Sequence, residues 1–389
     1  MRSGIIALII SILMLFYIFL NYYIGLRGWQ FLGRHINFIS GKFYWSIFWI
    51  IAMSYFVGRL GDSFLPVHSS KVLKIIGSYW LAAMFYFLIV FLIIDVLRIL
   101  SGWLKISIQM PYLGSLPPIV GGIIILFLVS GIVLYGSWNA RNPRIVKYDI
   151  TISKEAGRYN SLSAVLISDI HLGTIVDNSR LQKMIKMVNE LEPDLILLPG
   201  DIIDEDVEVF VEQQMVETFC RLNSSLGTYA VLGNHEYIGG NAEDAVRYIQ
   251  EAGIVVLRDS YIELDGSLYI VGRDDRAGAR FTGQGRKDLS DILEGIDKSK
   301  PIILLDHQPF NLEEAREAGV DLQVSGHTHR GQLFPNHLIT RKLFENDWGY
   351  LKKDDLQVIV SSGYGTWGPP IRVGNKPELV HIEITFKQN

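Results

Sequence analysis

Five short apolar runs in the C-terminal part of the chain each end in residues that can bind a metal or move a proton. The run 164–168 leads into Asp169-Ile170-His171, and 195–199 into Gly200-Asp201. The run 229–232 leads into Gly233-Asn234-His235-Glu236, 302–305 into Asp306-His307, and 322–325 into Gly326-His327-Thr328-His329. Taken singly these are weak signals. Asp and Asn are common turn and cap residues, and a lone histidine is more often a hydrogen-bonded structural group. Gly-His-Thr-His is the strongest piece, because two imidazoles two residues apart can reach one site, yet alone it could be a surface metal trap. The ordered set is far more specific. Asp169 to Asp201 is 32 residues and Asp201 to Asn234 is 33, one β–α unit per donor group. Carboxylate, amide oxygen and imidazole suit Mn, Fe or Zn, and the lone Cys220 rules out a thiolate-type zinc site and any intrachain disulfide.

The elements that must hold these groups are strands and helices in alternation. Residues 145–152 alternate apolar and polar, a strand pattern. Apolar β-branched runs follow at 163–168, 195–199, 228–232, 254–257, 268–271, 302–305, 322–325, 358–361 and 379–386. Amphipathic helices are predicted at 178–191, 206–223, 241–252, 286–297 and 311–318, with Asn178 and Asn241 as N-caps. Such alternation over about 240 residues implies a layered α/β domain with buried sheets. In open α/β sheets the carboxyl ends of strands are where ligands bind, and every candidate donor falls there. Cys220 sits in a helix-like stretch and reads as a small core residue. Asp306 should point away from His307, since neighbours on a strand face opposite sides.

The N-terminal part has a different composition. Residues 1–138 carry a net charge of +7, whereas 139–389 carry −11, within an overall −4. That asymmetry argues for two regions in different solvents, and the overall balance gives no reason to expect nucleic-acid binding. Apolar runs occupy 3–26, 43–58, 75–94 and 118–138. A bilayer span needs about 20 apolar residues, so the second run is the shortest candidate. The first follows Arg2 like a signal peptide, but it is too long and lacks a small-residue cleavage site. Asp95 and Arg98, near the end of the third run, are spaced to pair with each other or snorkel. The expected organisation is a membrane domain of about four transmembrane helices at 1–140, a linker at 139–143, and a catalytic domain at 141–389. With four spans, seven Lys/Arg flank the side of both termini and five the other, which puts the catalytic domain in the cytoplasm of a multi-pass cell-membrane protein.

The ordered set D-x-H, G-D, G-N-H-E, H and G-H-x-H resembles the calcineurin-like metallophosphoesterase superfamily over residues 160–370. The segments SGHTHRGQLFP (325–335) and SSGYGTWGPPIRVG (361–374) are similar to the bacterial branch with N-terminal transmembrane helices. The resemblance implies a β-sandwich flanked by helices and two divalent metal ions. It implies Asp169, His171 and His329 on the first ion, Asn234, His307 and His327 on the second, and Asp201 bridging. It implies that His235 faces the substrate phosphate without binding metal. A bridging carboxylate can hold two ions roughly 3.5–4 Å apart. Two such ions beside two carboxylates leave the site with about two positive charges, which attract a phosphate anion and favour metal-bound hydroxide at neutral pH. The implied reaction is in-line hydrolysis of a phosphoester or pyrophosphate bond, with His235 protonating the leaving group or stabilising the transition state. Glu236 would orient His235 or a ligand, or sit in a solvated turn. Arg330 would contact phosphate or face solvent from its loop. The apolar N-terminal region points to a substrate in or near the bilayer, such as a phospholipid or lipid-linked phosphate. The alternatives are a soluble nucleotide-like diester and a non-catalytic membrane sensor, the latter disfavoured by a complete donor set.

Overall fold

The computed structural model of the chain describes residues 2–31, 40–61, 64–104, 117–204, 207–283 and 285–387. Of the charges weighed for orientation, Arg34 and Lys105 lie outside the described residues, as does Asp62. The chain divides into two compact units, Met1–Gly136 with Gly368–Pro370, and Ser137–Trp367 with Ile371–Asn389.

The first unit is helical: α1 (Arg2–Phe31), α2 (Gly41–Leu60), α3 (Val67–Trp103) and α4 (Pro118–Ala140). All four are long and apolar enough to cross a membrane. The short second run becomes a 20-residue helix because Lys42 and Arg59 are taken into its end turns. Small residues bring α2 and α3 together. A Cβ at Gly77 would overlap the Tyr55 backbone, and one at Gly58 would lie 2.9 Å from Lys74 N. Asp95 does not make its main contact with Arg98. It accepts from Arg27 Nη2 and Tyr23 Oη on α1, so a contact between helices replaces the one expected along a single helix.

The second unit holds two six-stranded sheets. The strands are β1 (Arg144–Ile152), β2 (Ser161–Leu166), β3 (Leu195–Pro199), β4 (Thr228–Val231), β5 (Val255–Val256), β6 (Ser260–Leu264), β7 (Leu268–Gly272), β8 (Ile302–Leu305), β9 (Leu322–Ser325), β10 (Gly349–Lys353), β11 (Leu356–Val360) and β12 (Glu378–Phe386). One sheet runs β1-β12-β2-β3-β4-β5 and the other β10-β11-β9-β8-β7-β6. Their facing sides share one apolar core, in which Ala164, Leu197 and Ile382 of the first sheet meet Ile270, Ile303 and Leu322 of the second. The outer face of the first sheet is covered by α5 (Asn178–Asn189), α6 (Val207–Glu212), α7 (Met215–Phe219) and α9 (Ala242–Glu251), through Leu181, Phe210, Phe219 and Ile249. Helices α11 (Leu289–Ile292) and α12 (Leu312–Ala318) cover the other sheet through Leu289, Ile292 and Leu312. The fold is therefore a β-sandwich flanked by helices.

Strands β2, β3 and β4 are parallel neighbours, as are β8 and β9. A parallel strand covered on both faces must be apolar along its whole length, which explains the unbroken runs in the sequence. Parallel pairing also brings the carboxyl ends of these strands to the same edge of their sheet. Local details differ from the sequence reading. The helix expected at 206–223 breaks into α6 and α7 where Gln214 turns left-handed (φ 55°). That break leaves Cys220 exposed at the end of α7, not in the core. Asp177 rather than Asn178 caps α5, accepting from Arg180 N at 3.2 Å. Asn241 does precede α9, but its side chain makes no capping bond. The predicted helix at 286–297 forms only one turn, α11.

Candidate metal centre

The loops after β2, β3, β4, β8 and β9 deliver the sequence candidates to one place. His171 Nε2 and His329 Nε2 are 3.0 Å apart, and His329 Nε2 lies 3.4 Å from Asp169 Oδ1. Beside them, His307 Nε2 is 3.2 Å from Asp201 Oδ2 and 3.3 Å from Asn234 Oδ1. The rings of His307 and His327 meet edge to face at 5.1 Å. Asp201 Oδ2 also reaches to 3.7 Å from His171 Nε2, so this carboxylate stands between the two groups. Asp169, His171 and His329 form one set of potential ligand atoms within 4.8 Å of one another, and Asp201, His307 and His327 form another. At 3.0 Å the two Nε2 atoms are within hydrogen-bonding distance when one ring carries the proton, and the same convergence of donor atoms could hold a cation.

The backbone is bent to achieve this. Asp169 (φ 50°), His171 (51°), Asp201 (52°), His327 (69°) and His329 (46°) all adopt left-handed conformations. Each costs on the order of 1–3 kcal/mol for a residue with a Cβ, and a surrounding structure must hold it. Much of that holding comes from Glu236. Its buried carboxylate accepts from the N–H groups of Ile202 (2.7 Å), Gly233 (2.7 Å), Ile203 (3.0 Å) and Asp201 (3.2 Å), locking the β3 and β4 loops together. Glu236 is thus neither a solvated turn residue nor a partner of the His235 side chain. Asp169 accepts from His327 N at 2.9 Å, tying the two sheets together. Gly326 permits that closeness, since a Cβ there would overlap Ser168 Oγ and Asp169 Oδ2.

The electrostatics fit a cation. Asp169 and Asp201 are fully buried, and their ion-pair partners are histidines. Burial raises the Asp169 pKa above the ordinary carboxylate range, with Asp201 adding to the rise. Burial also pushes Asp201 upward, but His307, His171 and His235 outweigh it and hold the carboxyl well below that range. Burial pushes the His307 imidazolium down, yet Asp201, Asp169 and Asp275 hold its pKa well above 6.5, so positive charge is favoured at this spot. His327 is pushed down to about 3 by burial and by His307. His329 is pushed well down by burial, His171 and Arg372. Neutral imidazole is what a metal ligand requires. His307 Nδ1 donates to Pro199 O at 2.8 Å, which leaves Nε2, 3.2 Å from Asp201 Oδ2, as the ring atom that would face a cation.

His235 stands at the edge of this centre. Its backbone N–H donates to Asp201 Oδ1 at 2.9 Å, and its Nδ1 lies 3.0 Å from Asp204 Oδ1. Burial lowers the His235 pKa, but Asp204, with Asp201 and Glu236, raises it overall, which favours the protonated ring. Asp204 was not a sequence candidate. The available signal was a third acid, three residues after Asp201 in the same loop, in a site where a histidine lacked a partner. His171 Nδ1 is buried without a hydrogen bond, 3.6 Å from the same Asp204 oxygen. Arg372 is fully buried behind His329, 3.2 Å from its Nδ1, and donates to Gly363 O and Gly365 O. Arg330 is not brought into the cleft. Its guanidinium stacks 3.8 Å over the Trp348 ring. Asp306 turns away from the centre, as expected, and accepts from Arg286 at 3.0 Å. A cleft of about 540 Å³ opens over Asp201, Asn234, His235, His327 and His329.

This arrangement defines the class: an α/β sandwich carrying a candidate two-metal centre of the kind that hydrolyses phosphoesters. A family model for calcineurin-like phosphoesterases matches residues 162–331. The chain is 36% identical over 249 residues to a protein of Aquifex aeolicus named "Uncharacterized metallophosphoesterase", covering 63% of this chain and 93% of that one. It is 32% identical over 274 residues to the "Transmembrane protein with metallophosphoesterase domain" of Danio rerio, covering 67% of this chain and 62% of that relative. Among solved structures, a 5'-nucleotidase precursor from Thermus thermophilus is a loose likeness, with 16% identity and a TM-score of 0.37, covering 58% of this chain and 54% of that one. The chain belongs to the calcineurin-like phosphoesterase family.

Proposed function

We propose that the protein is a membrane-anchored phosphoesterase that uses two divalent metal ions to hydrolyse a phosphoester or pyrophosphate bond. The carrying observation is the convergence of Asp169, His171 and His329 beside Asp201, His307 and His327. In this reading Asp169, His171 and His329 hold one ion, Asn234, His307 and His327 the other, and Asp201 both. The ions, of Mn, Fe or Zn type, supply Lewis acidity and lower the pKa of water so that a nucleophile exists at neutral pH. The chain's own groups do the rest. Asp169 and Asp201 neutralise part of the metal charge and leave enough to draw in a phosphate anion. His235, kept protonated by Asp204, faces the cleft and gives its Nε2 proton to the departing alkoxide. Water gives up a proton to solvent, its oxygen joins phosphorus, the P–O bond to the alcohol breaks, and the alcohol leaves with the proton from His235, which is then reprotonated from solvent.

Residues 1–140 are the anchor in this reading and 141–389 the catalytic domain, on the cytoplasmic side of the cell membrane. Four helices long and apolar enough to span, and relatives named as transmembrane proteins, support the anchor. The narrow Lys/Arg excess supports the side, and a reporter fused after Asn389 tests it. An anchored enzyme points to a phospholipid or other lipid-linked phosphate as substrate. The assay that tests the function is hydrolysis by the purified full chain, supplemented with Mn, Fe or Zn, against phosphomonoesters, diesters, nucleotides and phospholipids. Turnover of nucleotides alone would move the reading to a soluble substrate. No turnover with any member of the panel would remove it.

A further inference from the structure

The rim of the cleft is apolar where a water-facing surface is normally polar. Helix α13 (His337–Leu343) contains no buried residue. On it Leu338, Ile339 and Leu343 are 54%, 58% and 64% exposed, and just before it Phe334 is 52% exposed. Trp367, from the loop after β11, is 56% exposed on the same rim. These side chains are not a loose tail. The Trp367 N–H donates to Gln332 Oε1 at 2.9 Å, and Gln332 Nε2 returns a bond to Trp367 O at 2.9 Å. Thr340, on the inner side of α13, donates to Asp347, and Phe344 at its end packs 6.1 Å from the His327 ring. The apolar groups are therefore held rigidly, outward, at the mouth of a metal centre. Isolated exposed apolar residues need no explanation, but here Ile339 and Trp367 line the cleft itself and Phe334, Leu338 and Leu343 are exposed on the segment that carries Ile339, a grouping that marks a binding surface.

The chemistry of the rim selects what binds. Arg341 and Lys342 stand exposed beside the apolar residues on α13. Three aliphatic side chains, a phenyl ring and two cations on one short segment, with the Trp367 indole from a second loop, match the headgroup boundary of an anionic bilayer. The cleft continues this character inward. Its walls include Ile238, Ile339 and Trp367. The Trp367 ring lies 6.1 Å from the His235 ring, the group that serves the leaving alcohol.

We propose that this lip seats the cleft on an anionic lipid bilayer, and that the substrate is a membrane lipid whose acyl or prenyl portion is on the leaving-group side, against Trp367 and Ile339. The inference rests on the phosphoesterase reading and narrows it. A headgroup on the Trp367 side would leave a polar or charged group against apolar walls, whereas a lipid alcohol places hydrocarbon there. The products are then a lipid alcohol that stays in the bilayer and a phosphate species released to water.

The test compares two substrates on the metal-loaded full chain in detergent micelles. One is bis(p-nitrophenyl) phosphate, which is water-soluble. The other is phosphatidic acid, phosphatidylglycerol or a polyprenyl monophosphate doped into the micelles at varied mole fraction. Leu338→Ser with Leu343→Ser should raise the apparent KM for the micellar lipid at least about tenfold, with kcat and soluble-ester turnover within about twofold of the parent. Arg341→Gln with Lys342→Gln should weaken turnover only in anionic micelles, and the parent's advantage there should shrink as salt rises. Equal losses on both substrates, or no loss on the lipid, would overturn the lip's role. A parent that cleaves the soluble ester but none of the lipids would overturn it too, while leaving the phosphoesterase reading intact. A parent that cleaves neither class would bring down that reading itself.

Discussion

The floor and the lip of the cleft lie within one domain and obey opposite physical rules. On the floor, Asp169, His171, Asp201 and His307 are buried charged or ionisable groups. On the lip, Leu338, Ile339, Leu343 and Trp367 are apolar and more than half exposed. Each reverses what folding stability alone would choose, since burial favours apolar groups and solvent favours charged ones. The floor persists because Glu236 and the two packed sheets fix it, and its donor set is of a kind that a cation would satisfy. The lip persists because exposed side chains cost the fold little and a partner surface can cover them. The difference separates chemistry from substrate choice. Changes on the floor should act on every substrate alike, and changes on the lip only on substrates with hydrocarbon.

The largest expected break is at Asp201. Asp201→Asn removes one of the two carboxylates in the proposed ligand set, the one that stands between both donor groups. Turnover on all substrates should fall by more than the ~10²–10³-fold seen when one transition-state donor is lost. Metal analysis should show fewer than two ions per chain. Two ions retained by this variant would remove Asp201 from the bridging role. His235→Ala should come next. Its ring lies at the edge of the centre, so metal content should hold while kcat falls roughly 10²–10⁴-fold, the range for a lost general acid. Loss of metal along with turnover would instead make His235 a ligand.

The sequence made the floor far more legible than the lip, and the reason is periodicity. Strands β2, β3, β4, β8 and β9 are covered on both faces, so they read as apolar runs, and their donors follow each run directly. The pairing of His329 with Asp169 and His171, 160 and 158 residues away, comes from resemblance and not from the residues themselves. The left-handed bends at Asp169, His171, Asp201, His327 and His329 leave no trace in composition, because none of these residues is glycine. Asp204 was overlooked since an acid in a loop is ordinary until its imidazole partner is placed. Helix α13 was missed altogether. Its seven residues are too few for a clear period, and its apolar residues face solvent, so the core-facing logic of an amphipathic helix does not apply. Cys220 shows the same failure in miniature, because the predicted helix around it breaks at Gln214 and turns it outward.

Asp204 sharpens the comparison from within the floor. It is half-buried, 3.0 Å from His235 Nδ1 and 3.6 Å from His171 Nδ1, so it bears on the centre through both rings. Asp204→Asn should lower turnover about 10–100-fold, the usual cost of removing an orienting partner. The diagnostic is the pH profile. Activity that needs protonated His235 is full below its pKa and falls as pH rises through it. Asp204 raises that pKa, so the variant's falling limb should move to lower pH. An unmoved limb with reduced kcat would make Asp204 a purely structural contact.

The smallest effect is expected at Arg330, where the sequence could not separate a phosphate ligand from a loop residue. Its guanidinium lies 3.8 Å over the Trp348 ring, and its backbone N–H donates to Thr328 Oγ1 at 3.0 Å. Both contacts hold the turn that carries His329, and neither points the charge into the cleft. Arg330→Ala should therefore cost about 0.5–1 kcal/mol of stability through the lost stacking, read as a small drop in Tm. Its kcat and KM for soluble and lipid substrates should stay within about twofold of the parent, since a group outside the cleft contributes to neither binding nor the transition state. A tenfold rise in KM on both substrate classes would mean that the guanidinium leaves Trp348 to meet phosphate, and Arg330 would then belong with the floor.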